Sequence, residues 1–241
     1  MKSKRILIGV AVALVAALLI SGGTVFALHY VGRLPLGEKY KVPEENQLRI
    51  ACVGDSVTYG FGIPDREKYN YPEVLAGIFG EDACVNNYGV SGRTVSMDGD
   101  RPYMNEEAFQ ASLDFLPDVV VLMLGSNDAK PYNWNAEAFE RDYQELLYAY
   151  KSLKSQPVIF VVLPTPVFEV RGKVAFNIDK DVLENEIVPR TRALAEARRY
   201  TVIDMHEVFA GHPELFSDGC HPNKEGAKLF AETVAKALLG E

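Results

Sequence analysis

Short apolar runs of strand length alternate with longer segments of helical periodicity along most of this chain. Residues 119–124 contain no polar side chain, which is typical of a strand buried on both faces of a sheet. Strands that alternate with helices predict an α/β fold with a parallel sheet covered on both faces. The predicted strands are 48–53, 83–88, 119–124, 157–163 and 201–205, and the predicted helices are 71–79, 106–115, 136–153 (capped by Asn135), 179–199 and 224–239.

The first 28 residues differ from the rest. Three cations, Lys2, Lys4 and Arg5, precede an uncharged run of 23 residues, 6–28. At 1.5 Å per residue this run is long enough to cross a hydrocarbon core of about 30 Å, and the basic flank favours placing the remainder of the chain outside the cell. The small residues near its end also resemble a signal-peptide cleavage region. We predict a signal anchor or signal peptide at 1–28, hence an exported protein that is membrane-anchored, or secreted if the segment is cleaved.

Residues 29–47 and 48–241 are predicted to be a linker and a single domain. The first segment contains Gly32, Pro35, Gly37 and Pro43 with charges between them, a composition that suits a tether. Beyond residue 28 the chain has 22 cations against 33 acidic residues, a formal net charge of −11. This charge argues against a nucleic-acid partner and against a basic lipid-binding patch. Membrane contact is therefore predicted through the N-terminal segment only.

The cysteines give no sign of a metal site. Cys52, Cys84 and Cys220 are an odd number without the spacing of metal ligands. Cys52 and Cys84 fall in apolar strand-like segments, which favours buried free thiols, although a bridge between these two stays open. The sequence also has no dinucleotide or nucleotide-phosphate loop, so neither a metal nor a cofactor is predicted.

Polar and small residues follow four of the five predicted strands. Ser56 comes after the first strand, Gly92 after the second and Asn127 after the third, and Asp218 and His221 follow the fifth. Ligands bind at the carboxyl ends of strands in parallel sheets of this kind, so these residues are expected to form one site.

The residue types predict catalysis by a serine nucleophile. The Ser56 hydroxyl needs a base, which His221 can supply, and Asp218 is near enough in the chain to orient the imidazole. The tetrahedral intermediate needs donors for its oxyanion, and the backbone N–H groups of Ser56 and Gly92 with the Asn127 amide can provide them.

These residues resemble the sequence blocks of the GDSL, or SGNH, hydrolases. Gly-Asp-Ser-Val at 54–57 resembles the first block, Gly92 the second, Asn127 in Gly-Ser-Asn-Asp the third, and Asp218 with His221 the fifth. The resemblance covers roughly residues 48–240 and implies a flavodoxin-like three-layer fold with a five-stranded parallel sheet of order 2-1-3-4-5. It also implies the roles given above. Val57 and Cys220 depart from the usual residues but supply no catalytic atom.

The substrate is predicted from a weaker resemblance. Residues 124–134 and 163–168 are similar to stretches of bacterial carbohydrate O-acetylesterases, which implies a small ester, most simply acetyl, on an acylated glycan. Tyr59, Tyr132 and Trp134, along with Phe61, are candidates for substrate contacts, because aromatic faces near a site often hold sugars. The alternative for these side chains is packing within the domain.

Other functions of the same fold stay open. A lysophospholipase or acyl-thioesterase would need an apolar acyl channel, and an O-acyltransferase would pass the same acyl group to a sugar hydroxyl. A non-catalytic surface-binding protein is disfavoured by the complete set of catalytic and oxyanion residues.

Overall fold

The computed structural model describes residues 40–241, which form a parallel sheet between two layers of helices. The strands of the sheet are β1 (Leu48–Gly54), β2 (Ala83–Gly89), β3 (Val119–Met123), β4 (Val158–Val162) and β7 (Thr201–Ile203). Strands β5 (Glu169–Val170) and β6 (Lys173–Val174) pair with each other as an antiparallel hairpin. The sheet order is β2-β1-β3-β4-β7, so β7 is its fifth strand and the predicted order 2-1-3-4-5 is confirmed.

Helices occupy most of the connections between the strands, and two more follow the last strand. They are α1 (Ser56–Tyr59), α2 (Arg66–Tyr69), α3 (Tyr71–Phe79), α4 (Glu107–Asp114), α5 (Ala136–Lys151), α6 (Lys180–Val182), α7 (Val188–Ala197), α8 (Met205–Phe209) and α9 (Lys224–Leu239). Short 3₁₀ turns lie at Gly80–Asp82, Tyr103–Asn105, Ala175–Asn177 and Pro213–Leu215.

Both faces of the sheet are covered by apolar side chains. Successive residues of a strand point to opposite faces. In β1, Ile50 belongs to a buried cluster with Leu75 of α3 and Phe230 of α9, whereas Ala51 belongs to a second cluster with Phe139 of α5. Every residue of β3 is buried, as expected for a central strand between two helical layers.

Asparagine side chains fix where three of the helices begin. Asn70, Asn135 and Asn223 each accept a hydrogen bond, at 2.9–3.0 Å, from the backbone N–H three residues later. Such a bond satisfies an N–H that the first helical turn cannot pair internally. The predicted bounds of α3 and α9 are correct at both ends, and the predicted Asn135 cap is confirmed.

The predicted helix 179–199 is interrupted by a π-helical turn at Leu183–Ile187. Pro189, in the first turn of α7, has no N–H to donate to a carbonyl four residues earlier, so the regular ladder is broken there. The N–H of Val188 donates instead to the Leu183 carbonyl, five residues back. One widened turn thus joins α6 to α7.

The last strand is shorter than predicted. It ends at Ile203, because the Asp204 side chain accepts a hydrogen bond of 2.9 Å from the Glu207 N–H and so caps α8. The short hairpin β5–β6 was not predicted at all.

All three cysteines are buried and free, as expected for Cys52 and Cys84. Burial raises the pKa of the Cys52 thiol to about 12, which keeps this side chain neutral inside the core.

The predicted N-terminal segment 1–28 lies outside the described residues, as does the linker as far as residue 39. The end of the predicted linker contacts the domain. The Tyr40 and Tyr88 rings lie 4.5 Å apart, and Lys41 exchanges two backbone-to-side-chain hydrogen bonds with Asn86. Between residues 40 and 241, no helix has both the length and the apolar character needed to cross a membrane.

Candidate active site

The ends of β1, β2 and β3 position the predicted catalytic serine. Gly54, the last residue of β1, is in register with Gly89 of β2 and Met123 of β3. A Cβ on residue 54 would lie 2.1 Å from Thr58 Oγ1 and 2.6 Å from the Met123 carbonyl oxygen. Because glycine has no Cβ, the chain can turn here into α1, whose first residue is Ser56.

A continuous chain of hydrogen bonds joins Ser56, His221 and Asp218. The Ser56 Oγ lies 2.8 Å from His221 Nε2, and His221 Nδ1 lies 2.7 Å from Asp218 Oδ2. A carboxylate favours the proton on Nδ1, which leaves Nε2 as the acceptor for the serine hydroxyl. The imidazole is only 6% exposed, although Ser56 and His221 are 165 residues apart in the chain. The structure thus brings the three predicted residues together.

The Asp218 carboxylate is fixed by its own loop. It accepts hydrogen bonds from the backbone N–H groups of Cys220 (2.9 Å) and His221 (2.7 Å) as well as from the imidazole. Partial burial is the largest single influence and raises the pKa of Asp218. The hydrogen bonds and the electrostatic interaction with His221 act in the opposite direction and together outweigh burial, so the pKa lies below its ordinary value. At neutral pH the group is therefore ionised and able to orient the imidazole.

Two of the three predicted oxyanion donors are available. Among the described residues, the backbone N–H groups of Ser56 and Gly92 donate no hydrogen bond to a backbone acceptor. Gly92 has φ +82°, a left-handed conformation that favours glycine over other residues at this position. The Arg101 guanidinium is close by, 3.6 Å from where a Cβ of residue 92 would lie.

The third predicted donor, Asn127, already has two acceptors. Its Nδ2 donates to the Arg93 carbonyl at 3.1 Å and to Asp55 Oδ2 at 3.4 Å. The contact to Asp55 is long, so an oxyanion can compete for that hydrogen. Asp55 is fully buried, and burial raises the pKa of its carboxyl. Asn133 Nδ2 donates to the Asn127 carbonyl at 3.0 Å and fixes the turn.

Acidic side chains hold the loop that follows Gly92. The Asp128 carboxylate accepts from the N–H groups of Val95 and Ser96, both at 2.9 Å, and Asp142 accepts from the N–H of Met97 at 2.7 Å. Burial raises the pKa of Asp128 to about 7, even though both backbone bonds oppose that shift. The loop that follows Gly92, the predicted oxyanion glycine, is therefore tied to the segment after β3 and to α5.

The three aromatic residues predicted to contact substrate have different surroundings. Tyr59 is 5% exposed and lies under the Arg66 guanidinium, 3.8 Å from the ring centroid. Tyr132 is 61% exposed, whereas the half-buried Trp134 packs its ring against Phe139. Their roles as substrate contacts stay predictions.

Two phenylalanines contact the His221 ring. The Phe61 and imidazole centroids are 4.5 Å apart, and those of Phe176 and the imidazole are 4.8 Å apart. Phe61 was among the aromatic residues considered from the sequence. Phe176 was missed, since it lies in an irregular turn just after the hairpin, where hydrophobic periodicity gives no signal.

No group of three or more His, Cys, Asp or Glu side chains within residues 40–241 is arranged to hold a metal ion. The absence of a cofactor stays a prediction.

Comparison with known proteins identifies the family. The model of the GDSL-like lipase/acylhydrolase family matches residues 52–229, nearly three quarters of the chain. The chain belongs to this family. The predicted resemblance to GDSL hydrolases is therefore confirmed.

A curated relative of this GDSL-family chain is an acetylxylan esterase from Xylanibacter ruminicola, 38% identical over 238 residues. The match covers 90% of the present chain, which spans about half the length of that relative (49%).

Solved structures share the fold of this GDSL-family chain. A carbohydrate acetylesterase family member from Sinorhizobium meliloti superimposes with a TM-score of 0.62 at 23% identity, covering 81% of this chain and 100% of that one. An aryl esterase from M. smegmatis gives a TM-score of 0.63 at 22% identity, covering 80% and 99%. The predicted α/β architecture agrees with both.

Proposed function

We propose that this protein is a carbohydrate O-acetylesterase that cleaves acetyl esters through an acyl-enzyme on Ser56. The observation that carries the proposal is the hydrogen-bonded chain Ser56–His221–Asp218. The N–H groups of Ser56 and Gly92, which donate no backbone hydrogen bond within residues 40–241, support it. A hydroxyl, a base and an orienting carboxylate at these distances have what acyl transfer requires.

In the first half of the reaction, His221 Nε2 takes the proton of Ser56 as its Oγ attacks the ester carbonyl. The negative charge on the carbonyl oxygen is stabilised by the Ser56 and Gly92 N–H groups and by Asn127. When the intermediate collapses, His221 gives its proton to the leaving alcohol, and Ser56 retains the acyl group.

In the second half, His221 takes a proton from water, which attacks the acyl carbonyl. Collapse of this second intermediate releases the carboxylic acid and returns the proton to Ser56. Asp218 stabilises the imidazolium that forms in each half, and its low pKa keeps it ionised for this role.

The acyl group and the alcohol are proposed from the relatives. The curated relative is named an acetylxylan esterase, and one solved structure of the same fold is named a carbohydrate acetylesterase family member. The resemblance at residues 124–134 supports the same class. Tyr59, Tyr132 and Trp134 are the proposed contacts predicted from the sequence.

A substrate panel tests this proposal. We expect kcat/KM to be highest for p-nitrophenyl acetate, to fall from butyrate to octanoate, and acetate to be released from acetylated xylan or O-acetyl sialic acid. An acetylated Ser56 peptide should appear by mass spectrometry after rapid quenching. A preference for octanoate with no acetate from either glycan would support a lipid-directed enzyme instead. Transfer of acetyl to an added sugar in preference to water would support an acyltransferase.

We also propose that the protein is exported. The support is the sequence alone, Lys2, Lys4 and Arg5 followed by the uncharged run 6–28. Mass spectrometry of the N-terminus from membrane and medium fractions distinguishes an uncleaved anchor from a cleaved signal. Full-length protein confined to the cytosol would contradict export.

A further inference from the structure

We propose that Phe176, together with Phe61, forms a subsite that binds the apolar face of the sugar ring from which the acyl group is cleaved. This inference rests on the proposed function, because it assumes that the leaving alcohol is a sugar. It assigns the alcohol side of the site to two aromatic rings, Phe61 and Phe176. The sequence indicated only Phe61.

The geometry places an aromatic corner around the catalytic imidazole. Phe61 lies 4.5 Å from the His221 ring with 42° between their planes, and Phe176 lies 4.8 Å away at 79°. The two phenylalanine rings are themselves 5.8 Å apart and nearly perpendicular, at 86°. The backbone of Phe61 is tied to the nucleophile, because its N–H donates to the Ser56 carbonyl at 2.9 Å.

The chemistry of ester cleavage determines which part of the substrate reaches this corner. His221 delivers its proton to the leaving oxygen, so the alcohol must lie next to the imidazole. The acyl carbonyl oxygen must point instead to the Ser56 and Gly92 N–H groups. Rings in contact with His221 therefore border the alcohol portion of the ester.

Packing of the core does not explain Phe176. The side chain is 46% exposed, so much of its ring surface is open to a ligand. Its backbone has φ +59°, and that of the next residue, Asn177, has φ +58°. Residues other than glycine seldom adopt this left-handed conformation, and it persists where the surroundings enforce it, often at ligand sites.

The surroundings that hold Phe176 are connected to the loop of the triad. The hairpin β5–β6 precedes this residue, and at the base of the hairpin the Phe168 N–H donates to the Gly219 carbonyl at 2.7 Å. Gly219 directly follows Asp218 in the sequence and is separated from His221 only by Cys220. The aromatic corner and the catalytic base are thus supported by the same hydrogen-bonded segment.

A pyranose ring fits this corner chemically. Its C–H groups present an apolar face that gains dispersion contacts on an aromatic ring, and its hydroxyls stay in solvent beside the exposed edge. A small alkyl alcohol cannot make the same contact, because it has no ring to place on Phe176.

The test compares two acetyl esters that differ only in the alcohol, acetylated xylobiose and ethyl acetate. In Phe176→Ala we expect the ratio of kcat/KM for xylobiose acetate to that for ethyl acetate to fall roughly tenfold, the loss of one good aromatic contact. Phe176→Tyr should restore most of the ratio. Tyr148→Ala, which removes a 68% exposed aromatic side chain from α5, is the matched control and should leave the ratio unchanged.

Each other outcome has a distinct meaning. If wild-type protein hydrolyses ethyl acetate but releases no acetate from xylobiose acetate or from O-acetyl sialic acid, the proposed function fails and the subsite fails with it. If wild type cleaves both and Phe176→Ala keeps the ratio, or lowers both rates equally, only the subsite is overturned. A fall of the ratio in Trp134→Ala but not in Phe176→Ala would assign the sugar contact to Trp134 instead.

Discussion

At the scale of single residues, the proposed role of Ser56 as nucleophile depends on two hydrogen bonds. A serine hydroxyl is a weak nucleophile until a base removes its proton as it attacks. His221 can do so only with its proton on Nδ1, and the Asp218 carboxylate at 2.7 Å favours that tautomer. Ser56 and His221 act as a unit, so the increases in activation free energy caused by removing each of them should not add.

Single and double substitutions test this coupling. Ser56→Ala and His221→Ala should each lower kcat by roughly 10⁴–10⁶, and the double variant should be hardly slower than either one. Asp218→Ala should cost less, because the base is still present but has lost its orientation. The measurement is kcat on p-nitrophenyl acetate with thermal unfolding as the control for folding. Losses that multiply in the Ser56/His221 double variant would contradict the coupling.

At the scale of elements, Gly92, the predicted oxyanion glycine, precedes a loop that has little regular structure of its own. Asp128, Asp142 and Asn133 hold residues 95–100 from the segment after β3 and from α5, all by bonds to backbone N–H groups. Asp128 was noted in the sequence only as a neighbour of Asn127. Its partners are over 30 residues away, and neither periodicity nor turn propensity indicates such contacts.

The pH dependence of stability tests the environment of Asp128. The unfolded chain loses this proton near pH 4, whereas burial keeps the folded pKa at about 7. Between these values the folded state binds more protons, so the contribution of Asp128 to the free energy of unfolding falls as pH rises. Asp128→Asn does not titrate. The stability advantage of wild type over this variant should therefore shrink from pH 4 to 7 and be constant above it.

Urea unfolding of both proteins at pH 5, 6, 7 and 8 measures that difference. A difference that is constant over this range, or that grows with pH, would show that the folded pKa of Asp128 is not raised.

At the scale of the whole molecule, the features predicted from sequence are those that depend on local patterns. Apolar runs predicted the five strands, and the Asn135 cap predicted the start of α5. The strand-end rule brought Ser56, Gly92, Asn127 and His221 to one edge of the sheet. The π-helical turn and the position of Phe176 were missed because both depend on backbone geometry rather than on residue periodicity.

The boundary of the folded domain is tested by two truncated chains. A chain that begins at Leu34 retains Tyr40 and Lys41, and we expect it to be soluble with full activity on small esters. A chain that begins at Leu48 loses the ring contact with Tyr88 and both hydrogen bonds between Lys41 and the Asn86 side chain. Each such hydrogen bond contributes about 0.5–1.5 kcal/mol net, so this chain should unfold at lower urea concentration while its kcat changes little once folded. Equal urea midpoints of unfolding for the two chains would show that residues 40–47 add nothing to the stability of the fold.

Loss of activity in the chain that begins at Leu34, with folding intact, would show instead that part of the site lies within the first 33 residues.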